Sequence, residues 1–542
     1  MALTLRLGLL VTTLTLVGTA GSAQAARDEE RPTVLILPFE HNGQPGTDSG
    51  YAAQLRTYGV LTALRTLNLL HPKQLNRVLE RYEGRLKDLE EDARLRQLGS
   101  VLGADFVLYG TIDEKPGQTQ IKLSLSPTHS SAPQAMILKA KDLISAFDEL
   151  RGALVSLMAN TGVFAITGQP QVPEVNQVSP VTSNLKALLE YTGCHRVVIR
   201  QPIGILDPVV IDTKSIDQAI QRCLAALKAD PNFADAKAAL ALAYALNGNQ
   251  QQAERYLAQV KGSSVFLPLY WLGKFWILSR HYDIDLALRA LDESIEKNPG
   301  FLLARGYLGE SQIALGRYQE AIDTFKAYVA TAPRQSFAMG RLGYAASKMG
   351  KLDESLEWTK KGLAITPSDP ELLLELSSRF VDAKRFEDAA TVLRRVISEG
   401  HARGEVHLRL GFALLKLKDY RAAELESQQA IEIAKAPAEW RTRGRARYNL
   451  AKLWVESGNL DNAMRQLRMA VEEGFKDRKA FETDPDMKPL VDHPDYAKLM
   501  KGTAKRGVVV PTYVSAFGQA TEDGSLMLSD RRTKDDSVYS RF

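Results

Sequence analysis

The chain is 542 residues long and poor in the side chains that carry chemistry. It has two cysteines and eight histidines, and the histidines are scattered singly from His41 to His493. It has no G-x-x-x-x-G-K-[ST] phosphate loop, no H-E-x-x-H, no G-x-S-x-G and no paired C-x-x-C. His401 and His407 are six apart, which puts them on different faces of a helix and argues against chelation. Cys194 and His195 are adjacent, and neighbours on a helix point in different directions, so they make a poor nucleophile–base pair. The run "DPDMKPLVDHPD" lacks the glycine and terminal glutamate of an EF-hand loop and reads as a helix-terminating turn. No catalytic residue, cofactor-binding residue or metal ligand is assigned. An enzyme with an unrecognised site is the weakest of the open readings.

Charge of one sign is also missing. There are 69 basic and 64 acidic residues, a net charge of only +5. A dedicated nucleic-acid binder concentrates its basic residues in a stripe, so no specific nucleic acid is expected. Long apolar runs are absent beyond the N-terminus, and none reaches the roughly 18 residues of a spanning helix. The first 26 residues have Arg6, an apolar run from Leu7 to Val17 and small residues ending in Ala23-Gln24-Ala25. That is the pattern of a secretory signal peptide (1–25) cut after Ala25, and the run is short for a membrane anchor. The residue after the cut is Ala26, so no cysteine stands there to take a lipid. The mature chain is expected to be soluble and periplasmic, with secretion or peripheral envelope association as alternatives. In an oxidising compartment Cys194 and Cys223 have two fates. They form a disulfide between adjacent antiparallel helices, or they are two small buried side chains that never meet.

Two kinds of period are present. From residue 31 to 163, strand and helix patterns alternate. "VLILPF" (Val34–Phe39) and "ADFVLYGTI" (Ala104–Ile112) are continuous apolar runs suited to strands buried on both faces. "QIKLSLS" sets Ile121, Leu123 and Leu125 against Lys122 and Ser124, which predicts one wet face, and "AMILKA" is its expected neighbour. Helical stripes are read at Leu75–Tyr82, Leu95–Leu102 and Leu143–Leu157. The segments "VLILPFEHNG", "LLHPKQLNRVLE" and "LGSVLGADFVLYGTI" resemble the N-terminal α/β domain of TolB and of CsgG- and FlgO-type bacterial envelope proteins. That resemblance implies a module for protein association and assembly. The lipoprotein cysteine of the CsgG type is missing. Residues 164–183 are Pro/Gln/Val-rich and read as a linker.

Beyond the linker a 34-residue lattice begins. Its proline column is Pro231, Pro299, Pro333 and Pro367, with Val265 and His401 as substitutes. A small residue recurs at Ala253, Ala287, Ala321, Ser355, Ala389 and Ala423, and Leu308, Leu342, Leu376 and Leu410 precede Gly309, Gly343, Ser377 and Gly411. Three phased columns at this spacing identify tetratricopeptide repeats. Each unit is two antiparallel helices that cross where only a small side chain fits, and neighbours must stack because one pair cannot bury its own apolar face. A degenerate first unit spans 184–233 and an array of about seven units spans 234–478. Residues 479–501 resemble the capping segment of such arrays, and 502–542 read as a disordered tail. The fold class is thus α+β multidomain: a small N-terminal mixed α/β domain followed by an all-α superhelical solenoid.

In the family, first helices line a concave groove that binds peptides. The resemblance makes Leu242, Trp276, Glu310, Tyr344, Ser378 and Phe412 the groove candidates. Trp276, Tyr344 and Phe412 form either an aromatic ladder for a partner or filling between units. Arg280, Arg341, Lys348, Arg409, Lys416 and Lys452 are basic candidates on the same face, interleaved with Glu371, Asp382, Glu405 and Glu456. A solvated face of mixed charge is the plain alternative. The first units hold Ala238 and Leu242 where chaperone-binding members carry a carboxylate clamp. The reading is a non-enzymatic exported scaffold for protein or peptide partners, with the α/β domain as a second docking or oligomerisation module. An oligomeric envelope-assembly or secretion factor is the alternative.

Overall fold

Among the described residues the last strand ends at Ala140 and only helices follow, and the architecture divides at that change. The computed structural model describes residues 31–44, 47–63, 67–70, 91–129, 133–161, 163, 182–200, 213–260, 268–280, 284–436, 439–473, 475 and 484–503. Residues 1–30, where a signal peptide is expected, the expected stripe Leu75–Tyr82, nearly all of the expected linker, the insertion Pro202–Asp212 and residues 504–542 lie outside the described residues.

The N-terminal strands form one mixed sheet in the order β3-β1-β4-β5-β6. Strand β1 (Thr33–Ile36) is buried throughout because it pairs in parallel with β3 (Asn68–Leu70) on one side and β4 (Phe106–Lys115) on the other. Pro38 interrupts it, and the chain resumes as β2 (Glu40–His41), which also pairs with β4. Strands β5 (Gln118–Pro127) and β6 (Gln134–Ala140) complete the sheet antiparallel. Helices α1 (Asp48–Ala63), α2 (Glu91–Val101) and α3 (Leu143–Asn160) cover it. The one-wet-face expectation for β5 fails at its far end, where Ser124 and Ser126 are buried. Both α2 and α3 pack against this strand.

The helices that follow come in antiparallel pairs. The first four pairs are α4 (Leu185–Arg200) with α5 (Thr213–Ala229), α6 (Ala234–Leu246) with α7 (Gln250–Leu257), α8 (Pro268–Arg280) with α9 (Ile284–Lys297), and α10 (Leu302–Ala314) with α11 (Tyr318–Thr331). Then come α12 (Ser336–Lys348) with α13 (Leu352–Ile365), α14 (Pro370–Asp382) with α15 (Phe386–Ser398), α16 (Gly404–Lys416) with α17 (Tyr420–Ile433), and α18 (Trp440–Glu456) with α19 (Leu460–Glu472). A 3-10 turn (Pro485–Leu490) and α20 (Tyr496–Thr503) close the described chain. The described residues fall into two compact units, one of 31–200, 213–309 and 323–335, the other of 310–322 and 336–503.

The glycine column has a direct cause. A Cβ on Gly309 would stand 2.5 Å from the Phe325 ring, one on Gly343 2.6 Å from the Thr359 hydroxyl, and one on Gly411 2.8 Å from the Ser427 hydroxyl. Each partner lies sixteen positions on, in the second helix. In the α12–α13 pair the Ser355 hydroxyl also donates to the Gly343 carbonyl at 2.6 Å. The crossing is therefore tighter than the small-residue column alone suggests.

In the first unit the α/β sheet is built onto the helical pairs. Tethering through the linker alone is not what is observed. The backbone N–H of Arg31 and the Asn68 side chain both donate to the Thr331 carbonyl, at 3.2 and 2.8 Å. The Leu69 N–H, on the edge strand β3, donates to Gly300. The Gln335 amide donates to the carbonyls of Leu102 and Gly103 at 2.8 and 3.2 Å. Gly103 has a φ of +65°, and a Cβ there would lie 2.0 Å from the Arg334 carbonyl oxygen, so only glycine fits. Two successive proline turns of the lattice thus meet the sheet.

Helix α1 packs against α4. Arg56 donates to the Thr182 carbonyl at 2.6 Å, and Asp48 pairs with Arg222 at 2.9 Å and Arg196 at 3.4 Å. Behind this rim Cys194 and Cys223 form a disulfide joining α4 to α5, with Cα atoms 5.4 Å apart and both residues fully buried. The buried His195 ring lies beside Tyr191, and its Nδ1 is 3.3 Å from the Tyr51 hydroxyl.

Burial lowers the His195 pKa to about 3 from an ordinary 6.5. The unfolded chain binds a proton in that window that the folded chain does not, so stability is lost as pH falls from about 6.5 to about 3. Thermal melts of the wild type should fall steeply through this range. Melts of His195→Gln should fall less, and parallel curves would show that another group sets the acid limit.

Candidate binding face on the first helices

In the second unit, residues on successive first helices meet through a fixed offset. The position after the glycine column of one pair lies beside a residue 31 further on, two positions before the glycine column in the next pair. Glu310 accepts two hydrogen bonds from Arg341 in this way, one of them at 2.9 Å from Nη2. Ser378 accepts from Arg409 Nη1 at 2.6 Å by the same offset. Arg341 also reaches forward to Glu375 at 3.0 Å, so one guanidinium links three consecutive pairs. Its planar fork allows this; a lysine could not hold both carboxylates in that geometry.

Burial sets the charge states in this ladder. Desolvation works against the Arg341 charge, but Glu310 and Glu375 outweigh it and raise its pKa above the ordinary arginine value. Desolvation also pushes the Glu375 carboxyl up, against the pull of Arg341 and Arg379. Glu375 Oε2 is buried without a hydrogen-bond partner among the described residues.

Tyr344 is half-buried at the centre of the ladder. Arg341, Lys348 and Arg379 lie 4.9, 5.3 and 5.4 Å from its ring centroid, within reach of the ring's negative face. Arg379 is buried and pairs with Asp382 at 3.2 Å, and Arg409 pairs with Glu405 four residues before it. Further out, Arg403 pairs with Glu371 at 3.0 Å.

The other sequence candidates scatter. Leu242 is fully buried on α6, in the first unit. Trp276 and Arg280 lie on α8, but their side chains are outside the described residues. Phe412 is buried and takes the filling role; Lys416 and Lys452 stand 5.8 and 5.9 Å from its ring. Lys452 is not a solvated cation, because its side chain is only 8% exposed. It pairs with Asp484 at 2.5 Å and Asp486 at 3.5 Å, and Lys416 pairs with Asp486 at 2.6 Å. The Tyr448 hydroxyl donates to Asp484 at 2.9 Å. The partners missed by sequence reading are Glu375, Arg379, Asp484 and Asp486. For the first, opposite charges at a spacing of 34 within the lattice were the available signal.

With helix pairs, glycine crossings and inter-pair ladder in view, the comparison with known proteins is direct. A family model of the tetratricopeptide repeat matches residues 213–264, 272–336 and 374–439. The chain carries tetratricopeptide repeats. No curated protein matches its sequence. Among solved structures it is similar to TTC0263, a thermophilic tetratricopeptide protein of Thermus thermophilus, at 25% identity over 37% of this chain and 99% of that one, with a TM-score of 0.28. It is also similar to Pseudomonas aeruginosa pilF, at 17% identity over 39% and 96% with a TM-score of 0.32, and to MamA, at 20% over 32% and 97% with 0.28. Among the described residues no helix is long and apolar enough to cross a membrane.

The tetratricopeptide ladder makes Arg341 the residue to test. Arg341→Met leaves Glu310 and Glu375 facing each other with their shared cation gone, and should cost about 2 kcal/mol in a denaturant titration. Adding Glu375→Leu should restore most of that loss. A single-variant cost below about 0.5 kcal/mol would mean that solvent already screens the ladder.

Proposed function

We propose that this chain is a non-enzymatic, exported scaffold whose first helices hold a partner polypeptide. Tetratricopeptide arrays are protein-interaction scaffolds in general, and stacking creates their extended binding surface. The observation that carries the reading is the strip around Tyr344: an aromatic ring left half-exposed, with Arg341, Lys348 and Arg379 around it and Glu310 and Glu375 alongside. A partly exposed aromatic among paired charges is the composition of an interface anchor, offering area and hydrogen bonds at low entropy cost. Export rests on the N-terminal signal pattern, and an envelope setting rests on the resemblance of residues 31–163 to TolB-type modules.

The test is a photo-crosslinking residue placed at Lys348 in living cells, with Leu425 as control. Leu425 is 56% exposed on the second helix α17, and so is open to non-specific contact. A discrete adduct at Lys348, absent at Leu425 and lost in Tyr344→Ala, is the expected outcome, on a chain whose N-terminus is Ala26. Equal adducts at both positions, or none at Lys348, would overturn the first-helix reading, and an intact Met1 would overturn export by cleavage.

One observation favours an oligomeric assembly factor as the second reading. Among the described residues strand β6 pairs only with β5, and Ile137 on it is 55% exposed, so this sheet edge presents backbone groups and an apolar side chain. Native mass measurement across a hundredfold concentration range should then reveal a dimer or larger species. A monomer at every concentration removes the idea.

A further inference from the structure

The paired lysines near the end of the second unit already hold a ligand, and it is part of the chain. Lys416 on α16 and Lys452 on α18 converge on Asp484 and Asp486, whose spacing is set by Pro485 between them. Tyr448 adds a hydroxyl donor to Asp484, and the Phe412 ring lies beneath both ammonium groups. Desolvation works against the Asp486 charge, but the Lys416 hydrogen bond and Lys452 outweigh it and hold its carboxyl below the ordinary range. Met487 follows and is fully buried, as is Leu490. These contacts read as a description of a ligand: two carboxylates one residue apart, then an apolar side chain.

We propose that the Lys416–Lys452 pair is a carboxylate subsite for an acidic segment of a partner polypeptide, with Asp484–Pro485–Asp486 as its resident competitor. The inference rests on the first-helix binding reading and adds the chemistry of one subsite. Lys452 is buried, and a buried ammonium without a carboxylate is strongly disfavoured, so the site demands an anion whichever chain supplies it. Lys416 and Asp486 are partly exposed, at 31% and 24%, which makes their pair the point where exchange begins. Covalent attachment gives the resident segment an effective concentration on the order of millimolar, so it masks the subsite from weak ligands.

The probe is a fluorescent peptide of the sequence Asp484–Val491, read by anisotropy against the full chain at low salt. Wild type should bind it weakly. Asp484→Asn/Asp486→Asn, which leaves both lysines without a carboxylate, should bind at least ten-fold tighter. Adding Lys416→Glu should abolish the gain, as should replacing both aspartates of the peptide by asparagine. A folded double variant that binds no better than wild type, or binding that survives Lys416→Glu, would overturn the proposal. Should the double variant not fold, hydrogen exchange on the wild-type chain decides. Excess peptide should speed exchange at the Met487 and Val491 amides, which are bonded to Asp484 and Lys488, and unchanged rates overturn the proposal. A negative peptide result with Lys348 adducts intact removes this subsite alone; positive peptide binding without those adducts removes the wider reading and keeps the subsite.

Discussion

The close crossing of two helices at a residue without a side chain is what the rest of the array depends on. At Gly309, Gly343 and Gly411 the second helix comes so near that a single added carbon would meet an aromatic ring or a hydroxyl. That approach brings the second helix down onto the first and leaves an apolar flank that only the next pair can cover. Everything on the first helices then follows by phase. A residue just after the crossing lies beside a residue just before the next one, which is why Glu310 meets Arg341 and Ser378 meets Arg409. The ladder of charges is a consequence of packing geometry, filled with polar side chains where space and solvent allow.

Buried charge adds a second constraint in the same unit. Arg341 between Glu310 and Glu375, and Lys452 between Asp484 and Asp486, are cations that need their carboxylates in place. The first is satisfied within the lattice and so belongs to the fold. The second is satisfied by a segment outside the lattice, which makes the same chemistry open to competition. Identical interactions can thus serve architecture in one place and recognition in another, and what separates them is whether the partner comes from the repeat.

Much of the fold could be read from residue spacing because repetition multiplies weak signals. One alanine at Ala321 says little, but six small residues at one spacing say a great deal. The strands from Val34 and Ala104 were legible for a related reason: continuous apolar runs of that length suit few other structures. Contacts between elements with no shared period were not legible. Nothing in Asn68, Gly103 or Gln335 as letters announces that they join the α/β module to two proline turns, since each is an ordinary small or polar residue until its neighbours are known. The candidate face shows the same limit. Tyr344 could be placed on the first helices by phase, but the pairing of the buried Lys452 depends on a segment more than thirty residues away whose two aspartates look like part of a turn.

The junction in the first unit also acts as a ruler. The α/β module touches the array at Gly300, through β3, and at Arg334–Gln335, through the turn before β4; these are two equivalent turns one 34-residue repeat apart. A rigid body held at two such points measures the length of the repeat between them. Gaining, losing or stretching a repeat beyond residue 335 leaves that measurement untouched, whereas a change of even one residue between the two turns would break it. Repeat number in this architecture is therefore free to vary at the C-terminal side and locked where the α/β module lies.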